Sequence, residues 1–183
     1  MVELAPLEIQ QGVYSGPCEK DPFQVSREDK IELLQKASDD MMKDSRIKSS
    51  TAELYFEKRN RIIGTTRDDL IETDLVFTQP SLTATAVIGE DAQSRSLQDG
   101  ARIAGWEWVE GSGIAEWGER AREEAIMKVM ADESPSGRMD LLLDGLHLSL
   151  TMHESVGHPT ESDRALGWEA NMAGRTFLNP GDQ

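Results

Sequence analysis

Two of the three histidines in this 183-residue chain bracket a glutamate, in the order His153-Glu154-Ser155-Val156-Gly157-His158. Neutral imidazoles bind zinc, and a carboxylate beside the ion can take a proton from an attacking water. Metallopeptidases commonly use H-E-x-x-H, which puts two ligands on one helix face at i and i+4. Here the spacing is i and i+5. On a regular α-helix that separates the side chains by roughly 140° of rotation and about 7.5 Å of rise. One ion with bonds of about 2.0–2.1 Å to nitrogen does not reach both. The helix must therefore change near His158. Gly157 loosens the backbone and Pro159 drives His158 away from the α region, so a π-type turn or a helix end is expected between Ser155 and His158. On spacing alone two readings stand: shared metal ligation, or histidines that cap carbonyls or lie on the surface.

The flanks favour the metal. The run Thr151-Met152-His153-Glu154-Ser155-Val156-Gly157-His158-Pro159-Thr160-Glu161-Ser162-Asp163-Arg164-Ala165-Leu166-Gly167 closely resembles the TldD/PmbA family of metallopeptidases, also described as modulators of DNA gyrase. The resemblance continues from Trp168 to Leu178. Softer matches lie upstream, in Asp21-Pro22-Phe23-Gln24-Val25 before an amphipathic helix and in Gly137-Arg138-Met139-Asp140-Leu141-Leu142-Leu143. The H-E-x-x-x-H core with its flanks is specific, and the resemblance covers most of the chain from about Pro22.

The resemblance implies a zinc-dependent peptidase acting on small or unfolded peptides. It implies a dimer, with a second copy or with a paralogous subunit. His153 and His158 are the expected zinc ligands and Glu154 the expected general base. The family's chains are more than twice as long, and their third ligand is a cysteine from the C-terminal half. That cysteine is expected beyond Gln183, so the chain reads as a piece of a longer enzyme and as inactive by itself. The rival reading is a noncatalytic partner or interaction module of a protease complex, because one branch of the family lacks the motif. The intact His153, Glu154 and His158 argue against that branch.

Other polar residues near the motif carry weaker signals. His147 lies six positions before His153, about 120° away around a helix, and is a poor third ligand. It is expected to pack or hydrogen-bond near the helix start. Glu161 and Asp163 match acidic positions of the family. They either orient ligands or structure the loop with Arg164, and the sequence does not choose. Cys18, the only cysteine, sits in a Gly/Pro-bearing arm and reads as incidental; alone it forms no internal disulfide, which suits a reducing cytoplasm.

Composition narrows the partners. With 19 Lys and Arg against 34 Asp and Glu, the net charge is −15. Direct nucleic-acid binding needs clustered basic residues and is not expected, so any link to gyrase would be indirect. An acidic surface also disfavours anionic membranes, and the apolar runs fall far short of a transmembrane helix. No basic segment with an apolar core resembles a signal peptide.

The elements that position the motif follow from periodicity. Residues 1–24, with Pro6, Gly12, Gly16 and Pro17, read as an arm, and 25–183 as the α+β N-terminal domain of a longer metallopeptidase whose C-terminal domain is absent. Ser26 and Asp29 open a helix over 26–43, with Ile31, Leu34, Ala37 and Met41 at helical spacing. From 46 to 100 the period is two, as in Leu82, Ala84, Ala86 and Ile88 against Thr83, Thr85 and Val87. Breaks are expected at Lys58-Arg59-Asn60, Arg67-Asp68-Asp69 and Gln79-Pro80-Ser81, with a fifth strand near 94–99. Short connections favour antiparallel neighbours, and one-sided alternation predicts a sheet with helices on one face. Ser112-Gly113 opens a helix over 114–132, with Trp117, Ala121, Ala125 and Val129 as its buried stripe. A strand over 138–143 and a turn at Asp144-Gly145 lead into the motif helix. The fold class is α+β: a mainly antiparallel sheet packed by helices, then a helix-strand-helix segment carrying the motif.

Overall fold

In the computed structural model, which describes residues 8–98 and 100–169, the alternating stretch of sequence becomes three strands, the middle one 19 residues long. The chain divides into two units, Met1–Glu133 and Ser134–Gln183. In the first, β1 (Gln11–Ser15), β2 (Ile47–Gly64), β3 (Leu70–Ile88), β4 (Asp91–Gln98) and β5 (Arg102–Ile103) form a mixed five-stranded sheet. β3 pairs antiparallel with β2, β4 and β5, and parallel with β1. The sheet is mainly antiparallel, as its short connections require.

Burial along β3 alternates without a break: Val76, Thr78, Pro80, Leu82, Ala84 and Ala86 are buried and the residues between them are half-buried. Helices α1 (Arg27–Met41) and α3 (Ile114–Val129) pack with the buried side chains of β3 in one core. The contact is close because the residues are small. Ala84 and Ala86 on the strand and Ala37, Ala121 and Ala125 on the helices have no exposed surface. Alternate positions on the strands carry hydroxyls, which pair across the ladder as Thr83–Ser96 at 2.9 Å and Thr85–Ser94 at 2.8 Å. One apolar and one hydroxylated face is what period-two alternation prescribes. α1 begins where its cap predicts, with Ser26 Oγ accepting from the Asp29 N–H at 3.0 Å.

Several boundaries differ from the sequence reading. Lys58-Arg59-Asn60 is not a break but part of β2, because Arg59 reaches Glu57 and covers the Phe77 ring while Lys58 faces Asp74 across the ladder. Gln79-Pro80-Ser81 likewise runs on as strand. On the side away from β2, β5 pairs with Phe77 and Thr78 and β4 pairs from Ser81 onward, so Gln79 and Pro80 fall in the gap between two partners. The turn at Arg67-Asp68-Asp69 forms as expected, with Asp68 at φ 68. The next reversal is a two-residue turn in which Gly89, at φ 62, takes the first central position.

Within the arm, residues 11–15 form the parallel edge strand β1, whose five residues are all exposed and so leave no alternation to read. The six-residue α2 (Trp106–Gly111) was also not expected; Trp106 and Val109 anchor it in the core. Residues 138–143 do not form the expected strand. They have no ladder partner among the described residues, and Leu142 is 98% exposed. Pro6, residue 99 of the fifth strand, the family-like run beyond Glu169 and the loop expected at 179–183 lie outside the described residues. No described helix is long and apolar enough to cross a membrane.

Two outcomes test this packing. A Cβ at Gly118 would stand 2.6 Å from the Ala37 carbonyl oxygen. Gly118→Ala should therefore destabilise the unit by about 1–3 kcal/mol despite alanine's better helix propensity. Gly111→Ala, with open space around its Cβ, should be neutral or stabilising; urea midpoints compare the two. The second outcome concerns acid. Asp69 accepts from the Thr65 hydroxyl, from the Gln10 N–H at 2.7 Å and from Arg67 at 2.8 Å. These bonds, led by the Thr65 hydroxyl, hold its carboxyl below the usual aspartate range. Its contribution is complete at neutral pH and is lost as pH falls through the depressed value. Asp69→Asn should lower the melting temperature at neutral pH and flatten its decline in acid.

Candidate metal centre

The motif begins at the end of α4 (Gly145–Met152) in the second unit. Asp144 caps this helix, its Oδ1 accepting from the His147 N–H at 2.8 Å. From His153 to Gly157 the chain widens into a π turn, and the His158 N–H donates to the His153 carbonyl. This i→i−5 bond fits one more residue into the turn and brings the i+5 side chain back above its partner. A 3₁₀ turn over His158–Thr160 follows, then extended Glu161 and the short α5 (Ser162–Ala165).

Three residues explain the change of winding. Pro159 has no N–H to continue an α ladder. Thr160 turns its hydroxyl back onto the carbonyls of Val156 and Gly157, at 2.9 and 3.0 Å, and so satisfies groups the ladder abandons. Gly157 makes room for an imidazole: a Cβ there would meet His153 Cδ2 at 3.1 Å. The departure from α winding expected between Ser155 and His158 is present, but His158 itself keeps α-region dihedrals (φ −63, ψ −45), so Pro159 acts through its missing N–H and not by displacing the residue before it.

The two imidazoles converge. Their ring centroids are 4.2 Å apart with planes inclined by 38°. Glu154 Oε1 lies 3.6 Å from His153 Nδ1 and 3.9 Å from His158 Nε2. One ligand atom from each of His153, Glu154 and His158 falls within 4.8 Å of the others. Two ligands bound at about 2.1 Å stand at most about 4.2 Å apart, so small side-chain rotations bring the set onto one ion. His153 and Glu154 are exposed and free to make them. Two imidazole nitrogens are donors that zinc accepts, a carboxylate lies beside them within reach of a bound water, and the residues fit the ion. On the far side of His158, Nδ1 lies 2.8 Å from Glu161 Oε1, while Glu161 Oε2 meets Arg164 Nε at 2.9 Å.

The remaining candidates fall elsewhere. His147 is exposed, and its backbone N–H serves the helix cap. Asp163 organises the turn after the motif: its Oδ1 accepts from the Arg164 N–H, and its carbonyl from the Trp168 and Glu169 N–H groups. Cys18 belongs to the first unit, where burial and the nearby Glu107 push its thiol up and keep it protonated. Sequence reasoning missed Thr160, whose signal is a hydroxyl directly after the proline that removes a donor.

An α+β unit followed by a helix with a His-Glu-x-x-x-His π turn is the arrangement these residues define. The profile of the PmbA/TldA metallopeptidase central domain matches residues 20–129, which lie in the sheet-and-helix unit. Relatives described as metalloproteases extend the likeness into the motif region. One from Archaeoglobus fulgidus is 30% identical over 171 residues, 90% of this chain and 37% of its own length. Another, from Methanothermobacter thermautotrophicus, is 26% identical over 156 residues, 85% of this chain and 34% of its own. A solved structure from Thermotoga maritima, described as a candidate modulator of a DNA gyrase, superposes with a TM-score of 0.53 at 22% identity, covering 75% of this chain and 29% of its own. The chain belongs to the PmbA/TldD family. It spans about a third of the length of the curated relatives it matches.

Gly157→Ala tests the winding. Alanine favours the helix over glycine by about 1 kcal/mol, yet its methyl group would press on the His153 ring. Helicity by circular dichroism should be kept or raised while the His153 ring protons shift and their contact with residue 157 lengthens. Unchanged ring resonances would show that the ring does not lie over Gly157.

Proposed function

We propose that this chain carries the metal-binding turn of a zinc-dependent peptidase that acts on small or unfolded peptides within a longer, dimeric protein. The observation that carries the reading is the π turn that groups His153, Glu154 and His158. Membership of a metallopeptidase family and relatives described as metalloproteases support it. His153 and His158 would hold the ion through imidazole nitrogens. When bound, zinc supplies polarisation of a peptide carbonyl and acidification of a water. The work of the chain's own residues is positional and basic. Glu154, whose Oε1 stands between the two imidazoles, takes a proton from the attacking water at its carboxylate and can pass it to the leaving amine. Two histidines fill half of a four-coordinate shell, and catalytic zinc sites use three protein ligands. In this reading the third is the cysteine that the family resemblance implies, beyond Gln183.

Zinc stoichiometry and peptide hydrolysis, measured on this chain and on a longer chain that includes the remainder of the family pattern, test the proposal. The 183-residue chain should bind zinc weakly and hydrolyse nothing at a useful rate. The longer chain should bind tightly and cleave peptides. There, Glu154→Gln should lower turnover by about 10²–10⁴-fold with zinc still bound, as loss of a general base does. His153→Ala or His158→Ala should lose zinc and activity together. Affinity should fall in acid, because protons compete for the imidazole nitrogens. Full activity in the longer Glu154→Gln chain, or rapid hydrolysis by the short one, would overturn the assignment.

A further inference from the structure

The two imidazoles of the π turn are held unequally. His158 is only 28% exposed, and its Nδ1 lies 2.8 Å from Glu161 Oε1. An ionised carboxylate only accepts, so in the neutral ring the shared proton must sit on Nδ1. Nε2 then keeps its lone pair, on the side that faces Glu154 Oε1. Glu161 is itself fixed at four points. Its N–H donates to the His158 carbonyl at 3.1 Å, and its own carbonyl accepts from Ala165 at 2.9 Å. Its Oε2 meets Arg164 Nε at 2.9 Å, and Oε1 is committed to the ring. His153 has no such support from Glu154, whose Oε1 stands 3.6 Å from Nδ1, beyond hydrogen-bond reach.

From this geometry we infer that Glu161 is a positioning residue: anchored by Arg164 on α5, it fixes the tautomer and ring direction of His158 so that Nε2 is presented as a metal donor. The inference rests on the zinc reading for its purpose, but not for its geometry. α5 thereby acquires a role in the site although none of its residues is a ligand. His158 is the pre-organised donor, and exposed His153 is the one that adjusts to the ion. Outer carboxylates of this kind typically change metal affinity by about 10–100-fold.

The test uses the 183-residue chain labelled with ¹⁵N, first without metal and in mildly alkaline buffer. Long-range ¹H–¹⁵N spectra report which ring nitrogen of each histidine bears the proton. In wild type, His158 should be the Nδ1–H tautomer. Glu161→Ala should convert it to a mixture rich in Nε2–H while the His147 and His153 signals stay in place. Glu161→Gln, which keeps an acceptor oxygen, should retain the wild-type tautomer. The second arm is a competitive zinc titration of the same three proteins, with affinity expected to fall about 10–100-fold in the alanine variant and less in the glutamine variant. An Nε2–H His158 in wild type, or a tautomer unchanged in Glu161→Ala, would overturn the inference. Equal zinc affinity in wild type and Glu161→Ala would also overturn it. If the tautomer switches but no form binds zinc, Glu161 controls the ring as inferred and the zinc reading is the part that fails.

Discussion

Every other strand of the first unit depends on pairing with β3. That one strand bonds β2 along one side and β1, β5 and β4 in succession along the other. Its register must therefore be fixed, because a slip of one residue would turn every buried side chain to the wrong face. The alternation from Val76 to Ala86 supplies that penalty. The choice of small residues supplies a second. Ala84 and Ala86 let the helices approach the sheet, and the approach of α3 to α1 is close enough that Gly118 has no room for a Cβ beside Ala37. Close packing of this kind tolerates neither a longer side chain nor a sliding helix.

The second unit is organised on a different basis. None of the residues of α4 is buried, and Leu146 and Leu150, which the sequence places on one stripe with His153, are exposed. Around the π turn only Pro159 is buried, and local bonds run through the turn. The His158 N–H reaches His153, the Thr160 hydroxyl reaches two carbonyls, and Glu161 ties His158 to Arg164. Hydrogen bonds in water are individually worth only about 0.5–1.5 kcal/mol, so the turn holds by several acting together on adjacent residues. Pro159 makes the regular alternative worse, which is as useful here as making the π turn better.

This difference in basis explains what the sequence revealed. The two halves of β3, though not their continuity, and α1 were legible because burial writes a period into the chain, and Ser26 marks the start of α1 by the bond it makes to Asp29. The π turn was legible for a chemical reason: an i, i+5 pair beside Gly157 and Pro159 can share one ion only if the winding changes. Charge misled where it was read as punctuation. Lys58, Arg59 and Asn60 suggested a break, yet a long strand can carry such residues when neighbours such as Glu57, Phe77 and Asp74 receive them. Pro80 misled because its tolerance depends on where β4 and β5 end, a tertiary fact. β1 has no burial period, and the apolar run at 138–143 has no partner among the described residues, so propensity alone could neither find the one nor exclude the other. The choice between a ligand-orienting and a loop-structuring role for Glu161 was equally closed to sequence, since one carboxylate touches both His158 and Arg164.

The exposure of the turn bears on how it could work. His153 and Glu154 each keep 59% of their side-chain surface open to water. Electrostatic interactions in such surroundings are several-fold weaker than in a water-poor pocket. Stabilising the charge that develops on a peptide carbonyl is most effective in an enclosed, preorganised site. A turn that gathers donors without enclosing them can specify where an ion binds, but it leaves the polarity around that ion to other parts of the protein. Under the peptidase reading, the turn's own share of the chemistry is therefore ligand geometry and a base, while enclosure and substrate contact fall to residues outside the turn.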